Sequence, residues 1–360
     1  IDSNRFSFGV TLEIAVTKRS SSVALARLRG IGPLPAMVEE FAGDRGLIRA
    51  FQQSGLPLEV LEHKNMPVPL SLMSALFESS ARVLGERSLG LSVGKAMSYR
   101  VYGKWSDYSA QAGCLGGALR RACATVGTQL FGTTMTLGVE DGRWIWRVPP
   151  PIIGETTTQY ADHIIFPMLA FAQIYLGVDW RPSFIEVCYP RDKASSIIEL
   201  ALKTDLRCNG SGIAIPFSHE EIGEPHPAAE AVALKPLTLR EVTGDVALSE
   251  APEPARSFSA VVALRLLAGQ TDIEGAAEIA GFGVQGLQRR LRVTGYTYRE
   301  IVEMARRDRA MALLTQTDLS VAQIAFALGY EEHANFSRAF QRWMGCSPST
   351  YRNGVRRSFV

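Results

Sequence analysis

The clearest chemistry in this chain is carried by two short runs of polar side chains near its end. Gln285, Gln288, Arg289 and Arg292 form the first; His333, Asn335, Ser337, Arg338, Gln341 and Arg342 form the second. Arg forks onto the major-groove edge of guanine, and Asn or Gln pairs with adenine, so these types suit the reading of base edges. Gln285, Gln288, Arg289, His333, Asn335 and Arg338 are therefore the candidate base readers. Arg290, Arg292, Arg299, Gln341, Arg342 and Ser347 are the candidate phosphate contacts. Any solvated helix face looks polar, but two faces with the same Arg at the same place and almost no acid favour nucleic acid.

The elements that must position them are duplicated. Ile273, Ala276, Ala277, Ala280, Gly281 and Phe282 recur 48 residues later as Val321, Ile324, Ala325, Leu328, Gly329 and Tyr330. Apolar residues at i, i+3, i+4 and i+7 mark one face of a short helix, and the Gly-aromatic pair marks a tight turn. Past the turn the offset is 49, so Leu287, Arg289 and Leu291 fall opposite Phe336, Arg338 and Phe340. Each unit reads as helix, tight turn, helix. Between the units, residues 298–314 lack Pro and Gly and predict one helix, roughly 25 Å long at 1.5 Å per residue. Such a strut would hold the two second helices near one DNA turn apart, about 34 Å, in successive major grooves. Arg299, Arg306, Arg307 and Arg309 on it face either phosphate or solvent, which spacing does not separate.

Charge is distributed accordingly. Residues 256–357 hold 14 Arg, no Lys and 9 acidic residues, a net +5, whereas residues 1–255 carry 24 basic and 27 acidic residues, a net −3. The whole-chain +2 conceals a basic tail on a mildly acidic body, as expected if only the tail meets a polyanion. A preference for Arg also fits phosphate and guanine recognition, where a planar fork outperforms a point charge. A coding bias toward Arg would look the same.

The run from Phe336-Ser337-Arg338-Ala339-Phe340 through Gly345 to Ser347-Pro348-Ser349-Thr350-Tyr351-Arg352 resembles the signature of AraC/XylS-type transcription regulators. Leu287-Gln288-Arg289-Arg290-Leu291 with Thr294-Gly295 resembles the other half of that signature. Residues 256–352 are covered. One departure is Gly283, where the family usually has a Ser N-cap; Gly caps nearly as well. The resemblance implies a sequence-specific regulator whose partners are promoter DNA and RNA polymerase, with two recognition helices on one face of the duplex.

The length of 360 residues implies two or three domains, and 46% hydrophobic with 21% charged residues allows substantial cores. Cys114, Cys123, Cys188, Cys208 and Cys346 show no C-x-x-C spacing, which argues for reduced thiols in a cytoplasm rather than disulfides or a zinc site. No cofactor or metal is expected. Ile1 in place of Met suggests a truncated start, and nothing there resembles a signal peptide. The most apolar stretch, 164–178, contains Pro167 and is too short to span a bilayer, so it predicts a buried helix and no membrane partner.

The body predicts an α+β domain over residues 1–225, a linker over 226–255, an all-α domain with two helix-turn-helix units over 256–352, and a tail over 353–360. Helical spacing covers 23–41, 47–54, 68–84 and 109–128. Residues 133–139 and 144–148 flank Asp141-Gly142 as a hairpin. A helix at 158–176, a strand at 184–189, a helix at 193–204 and a strand at 213–217 complete a ββαβαβ order. That order predicts a four-stranded, largely antiparallel sheet with helices on one face. The Pro-rich linker holds a short helix around 236–246. Leu89-Gly90-Leu91, Gly116-Gly117-Ala118-Leu119 and Phe184-Ile185-Glu186-Val187-Cys188-Tyr189 are similar to the N-terminal sensor domain of the AraC subgroup related to ornithine and virulence regulators. They do not resemble the cupin-type sugar barrel. The similarity fixes no ligand: control by a small-molecule effector, with a homodimer through the N-terminal domain, is the expectation, and control by a partner protein or by oligomerisation without a ligand is the alternative.

Gly90-Leu91-Ser92-Val93-Gly94 satisfies the G-x-S-x-G pattern of hydrolases, but that elbow needs a buried strand before it and a long helix after it. Here an amphipathic helix precedes it, so no enzyme is predicted and Ser92 is not taken as a nucleophile. Asp162-His163 reads as core or cap. Tyr102, Lys104 and Trp105, with Tyr99, Asp107 and Tyr108 close by, have two readings. Either they line a pocket in which Lys104 pairs a carboxylate and Trp105 covers an apolar part, or they plug a sheet edge.

Overall fold

The structure, a computed structural model, describes residues 22–150, 157–227, 236–243 and 251–357. The segment predicted as a helix over 23–41 instead opens with strand β1 (Leu25–Arg27) and a 3-10 turn at Leu28–Ile31 before helix α1 (Leu34–Ser54). Gly32 at φ 54 and Pro33 beside it break the chain there, because only Gly takes that conformation cheaply and Pro starts helices rather than continuing them. The predicted helix 47–54 is the C-terminal part of α1, which passes through a kink at Gly43. Strand β2 (Pro67–Pro69) leads into α2 (Leu70–Leu84) and α3 (Leu89–Ala96). The helix predicted over 109–128 is divided: α4 (Lys104–Ala110) and α5 (Leu115–Thr125) are separated by Cys114 in extended conformation.

Strands β3 (Leu130–Phe131), β4 (Thr136–Glu140) and β5 (Arg143–Val148) come next. Asp141 and Gly142 both sit at positive φ between β4 and β5, as the tight hairpin turn requires. Helix α6 (Thr158–Leu176), strand β6 (Ile185–Glu186), helix α7 (Ser195–Leu202), strand β7 (Leu206–Arg207), strand β8 (Ile213–Phe217) and helix α8 (His219–Gly223) follow. Most of α6 is buried, including Ile165, Leu169 and Phe171, so the most apolar stretch is a core helix.

The sheet has five strands rather than the predicted four, in the order β4-β5-β8-β6-β7. Its pairs are antiparallel except β6 with β7. The extra strand is only two residues long, too short to show an alternating pattern. A second, three-stranded antiparallel sheet has the order β2-β1-β3 and was equally illegible, being built of two- and three-residue strands. Both sheets are open, with β4 and β7 at the edges of the larger one.

The glycines of the G-x-S-x-G pattern serve packing. A Cβ on Gly90 would lie 2.1 Å from the Gln159 carbonyl oxygen, and one on Gly94 would lie 2.4 Å from that of His163, so α3 rests directly on the backbone of α6. Ser92 is an exposed residue of α3, which follows helix α2 rather than a strand.

Part of the expected linker helix is present as α9 (Leu239–Thr243); residues 228–235 and 244–250 lie outside the described residues. The chain then continues through α10 (Ala255–Arg265), α11 (Ile273–Ile279), α12 (Val284–Val293), α13 (Tyr298–Gln316), α14 (Val321–Ala327), α15 (His333–Met344) and α16 (Pro348–Arg357). The core of this half holds Leu287, Leu291, Ile301, Leu314, Ile324, Phe336 and Phe340 without exposure. It also takes in Leu25 and Phe131 from the small sheet and Val23 just before β1, which pack with Phe258 and its neighbours. The Val23 amide donates to Ser257 Oγ at 3.1 Å, so α10 is fastened to the N-terminal region.

Candidate nucleic-acid interface

Each unit is a helix, a turn through a left-handed glycine, and a second helix. Gly281 and Gly329 stand at φ 69 and 72, where a side chain would strain the backbone. The aromatic residue after each glycine is clamped from the preceding long helix. Phe258 of α10 packs on Phe282 at 5.9 Å between ring centres, and the Arg306 guanidinium of α13 lies 4.5 Å from the Tyr330 ring centre. These pairs are related by the same 48-residue offset, so α10 serves the first unit as α13 serves the second. Arg306 Nε also donates to the Leu328 carbonyl at 2.9 Å and Nη2 to that of Gly329 at 3.2 Å. It holds the second turn.

On α12, Leu287 and Leu291 point into the core while Gln285, Gln288, Arg289 and Arg292 are exposed. At 3.6 residues per turn those four fall within an arc of about 100°. On α15, Phe336 and Phe340 are buried, and Asn335, Arg338, Gln341 and Arg342 are exposed, with His333 exposed at the first turn. Ser337 is half-buried. The six candidate base readers are thus all outward. Two of them are tied together: Arg338 Nη2 donates to Asn335 Oδ1 at 2.6 Å, which holds the guanidinium across the helix face. Gly283 stands at the N-cap of α12 in extended conformation, as the departure from Ser allows.

The candidate phosphate residues divide. Arg292 is exposed. Arg299 is exposed and pairs with Glu303 at 3.3 Å, and Arg342 reaches the same carboxylate at 3.4 Å. Exposed pairs of this kind contribute little, so both are available to a stronger anion. Arg290 instead stacks over Phe282 at 4.2 Å and is half-buried. Gln341 Nε2 donates to the Gly345 carbonyl at 2.8 Å, closing the end of α15. Ser347 Oγ accepts from the Thr350 amide at 3.2 Å and caps α16.

Three arginines had no role assigned from spacing. Arg352 Nε donates to the Leu314 carbonyl at 3.2 Å and Nη2 to that of Leu319 at 2.6 Å, so the motif's closing Arg locks α16 onto the end of the strut. Arg309 is half-buried; burial lowers its pKa, against the opposing pull of Glu62 and Glu59. Arg307 pairs with Asp308 at 3.2 Å. The 48-residue relation of Phe258 to Arg306 was the one signal that could have found the Arg306 clamp.

In the N-terminal half, Tyr102 and Trp105 meet edge to face at 5.8 Å and line a cavity. Lys104 is not on its wall; it borders a small neighbouring gap with Arg27 and Arg29. Trp105 Nε1 donates to the Ala122 carbonyl at 3.1 Å. Asp162 is fully buried, accepts from Arg87 at 2.9 Å and from the Tyr189 hydroxyl, and is a core anchor. His163 is buried beside it, and burial brings its pKa down to about 4, so the ring is neutral. Among the described residues no three potential metal ligands come together, and no helix is long and apolar enough to cross a membrane.

Comparison with known proteins covers both halves. Residues 276–354 match the helix-turn-helix domain family, and residues 47–225 match the family described as the arabinose-binding domain of AraC transcription regulator, N-terminal. The ornithine utilization regulator of Pseudomonas aeruginosa is 22% identical over 324 residues, covering 88% of this chain and 93% of that protein. The regulator VqsM of the same organism is 48% identical over 67 residues, 19% of this chain, and the chain spans only 21% of VqsM's length. VirS of Mycobacterium tuberculosis is 32% identical over 159 residues, 42% of this chain and 44% of VirS. With the two halves matched in the order in which the chain presents them, the chain joins the N-terminal and helix-turn-helix domains of AraC-type transcription regulators, and it is similar to the ornithine utilization regulator and to VirS.

Proposed function

We propose that the protein binds promoter DNA as a sequence-specific regulator, reading two adjacent major-groove segments with α12 and α15, under the control of a small molecule bound in the N-terminal domain. The observation that carries this reading is the pair of outward faces at the ends of one rigid strut. Gln285, Gln288 and Arg289 are exposed on one, and His333, Asn335 and Arg338 on the other. Helix α13 spans 19 residues, roughly 28 Å, close to the rise of one DNA turn. Arg292, Arg299 and Arg342 would meet phosphates. Arg290 would do so only by leaving the Phe282 ring, and Gln341 and Ser347 would touch the backbone from the ends of their helices.

Domain boundaries at 225, 255 and 352 belong to the same reading, with most of the second core drawn from residues 251–351. A homodimer through the N-terminal domain finds support in Ile197 and Leu200, 58% and 80% exposed on α7. A cytoplasmic location and action on RNA polymerase belong to the same proposal, which is supported by relatives named only as transcriptional regulators. No enzymatic role is assigned, since Ser92 lies on a helix packed for close approach.

The test is a salt titration of the full chain on duplex DNA by fluorescence anisotropy. Between 50 and 200 mM salt, affinity should fall by roughly a thousandfold or more if six or so phosphates are neutralised. No binding at 50 mM, or an affinity indifferent to salt, contradicts the reading.

A further inference from the structure

The cavity beside Tyr102 and Trp105 lies between helix α6, strand β5 and the small sheet, and has a volume of about 60 Å³. No Asp, Glu, Lys or Arg is on its wall, and the surface it presents is almost entirely carbon. The one ring that could carry charge, His163, is held neutral by burial. Placing a carboxylate or an amine there would leave a charge without a partner, which costs several kcal/mol. A sugar, with a hydroxyl on nearly every carbon, would lose most of its hydrogen bonds. Two lining residues each hold a buried polar atom without a hydrogen-bond partner: Gln129, 3% exposed, through the acceptor Oε1, and Trp146, 2% exposed, through the donor Nε1. The cavity is small, but Met73, Met135 and Met168 line it, and unbranched thioether side chains repack readily around a guest.

The small sheet is a wall with two sides. On β1, Ala26 lines the cavity, while its neighbour Leu25 packs into the core of the DNA-binding half. On β3, Leu130 lines the cavity, while Phe131 packs into that same core. Alternation along a strand makes this inevitable, since successive side chains point to opposite faces.

We propose that this cavity is the effector site, that its ligand is an uncharged, mostly apolar or aromatic molecule with a single polar group to pair with Gln129 Oε1 or Trp146 Nε1, and that the β1–β3 wall passes its occupation to α10. This rests on the reading of the chain as a ligand-controlled regulator. Repacking of the methionines and Leu130 shifts Phe131 and Leu25 against Phe258, and with them the helix that clamps the first recognition unit.

The experiment uses the full chain with phenol, indole, benzoate at pH 8 and arabinose as probes. Thermal midpoint, tryptophan fluorescence and DNA affinity are followed in one series. Phenol or indole should raise the midpoint saturably and change DNA affinity by threefold or more, while benzoate and arabinose do neither. Gly30→Ala places a methyl in ordinary contact with Tyr102, Gln129 and Met73 at 3.8 to 3.9 Å, so it should keep the fold and weaken probe binding by tenfold. Ala122→Leu should act likewise. Phe131→Leu should leave probe binding intact and abolish the DNA response.

Stabilisation by benzoate or arabinose but not by phenol or indole overturns the ligand class. Probe binding indifferent to both Gly30→Ala and Ala122→Leu overturns the location, and binding with no DNA response in the parent chain overturns the relay. Loss of DNA binding by the unliganded parent chain would count instead against the regulator reading itself.

Discussion

At the scale of single residues, the proposed interface divides into groups that would read bases and groups that would hold phosphates. Arg289 and Arg338 occupy equivalent outward positions, one on each second helix, and neither is needed to complete the core. Arg289→Ala and Arg338→Ala should each weaken binding to a preferred site by about 1 to 3 kcal/mol while barely changing affinity for random duplex, as measured by competition anisotropy. Equal losses on both DNAs would make them phosphate clamps. Loss of the Arg338 bond to Asn335 also frees Asn335, so a double substitution at 335 and 338 should cost less than the sum of the singles.

His163 gives a second residue-scale expectation. Its folded pKa of about 4 lies below the 6.5 of an unfolded histidine. The unfolded chain therefore takes up the proton first. The stability this neutral ring permits is complete above pH 6.5 and is lost as pH falls toward 4, by about 3 kcal/mol. In urea unfolding followed by circular dichroism, His163→Gln should flatten that part of the pH profile. A variant profile that parallels the parent between pH 6.5 and 4 would show that another group titrates.

At the scale of elements, close approach and clamping decide the fold. Helix α3 lies on α6 because Gly90 and Gly94 leave no Cβ between them, so Gly94→Ala must push the helices apart or move the His163 carbonyl. It should lower the full chain's thermal midpoint by several degrees, for a cost of about 1 to 3 kcal/mol. An unchanged midpoint would mean that the contact is slack. The duplicated units were legible because their apolar spacing, left-handed glycines and aromatic clamps repeat at a fixed interval. The hairpin was legible through Asp141-Gly142, whose positive φ angles only a few residue types adopt easily. The small sheet was not legible: Leu25–Arg27 and Leu130–Phe131 are strands because of what they pair with, and two or three residues carry no period of their own. The break at Gly32-Pro33 was present in the sequence, but the apolar spacing of 23–41 runs across it. Among site residues, outward positions followed from periodicity. The inward turn of Arg290 onto Phe282 and of Arg306 onto Tyr330 did not, since a long side chain can fold either way from the same backbone position.

At the scale of the whole molecule, the two halves share more than a linker. Val23, Leu25 and Phe131 belong to the core of the DNA-binding half, and Leu264 and Leu267 of the second half pack into a core of the first. Such shared packing gives the N-terminal half a mechanical grip on α10, and through Phe258 on the first recognition unit. The second unit is governed from α13, by the Arg306 clamp on its turn and by Arg352 at its far end. The central claim is that one chain reads two DNA segments through two equivalent helices. Selection of preferred sites from a random duplex pool by the full chain, repeated with Arg289→Ala and Arg338→Ala, tests it most directly. An enriched site with two short elements about 10 base pairs apart is expected. Each substitution should erase the sequence preference of one element and leave the other. A pool without enrichment, or a single element lost with both substitutions, would contradict it.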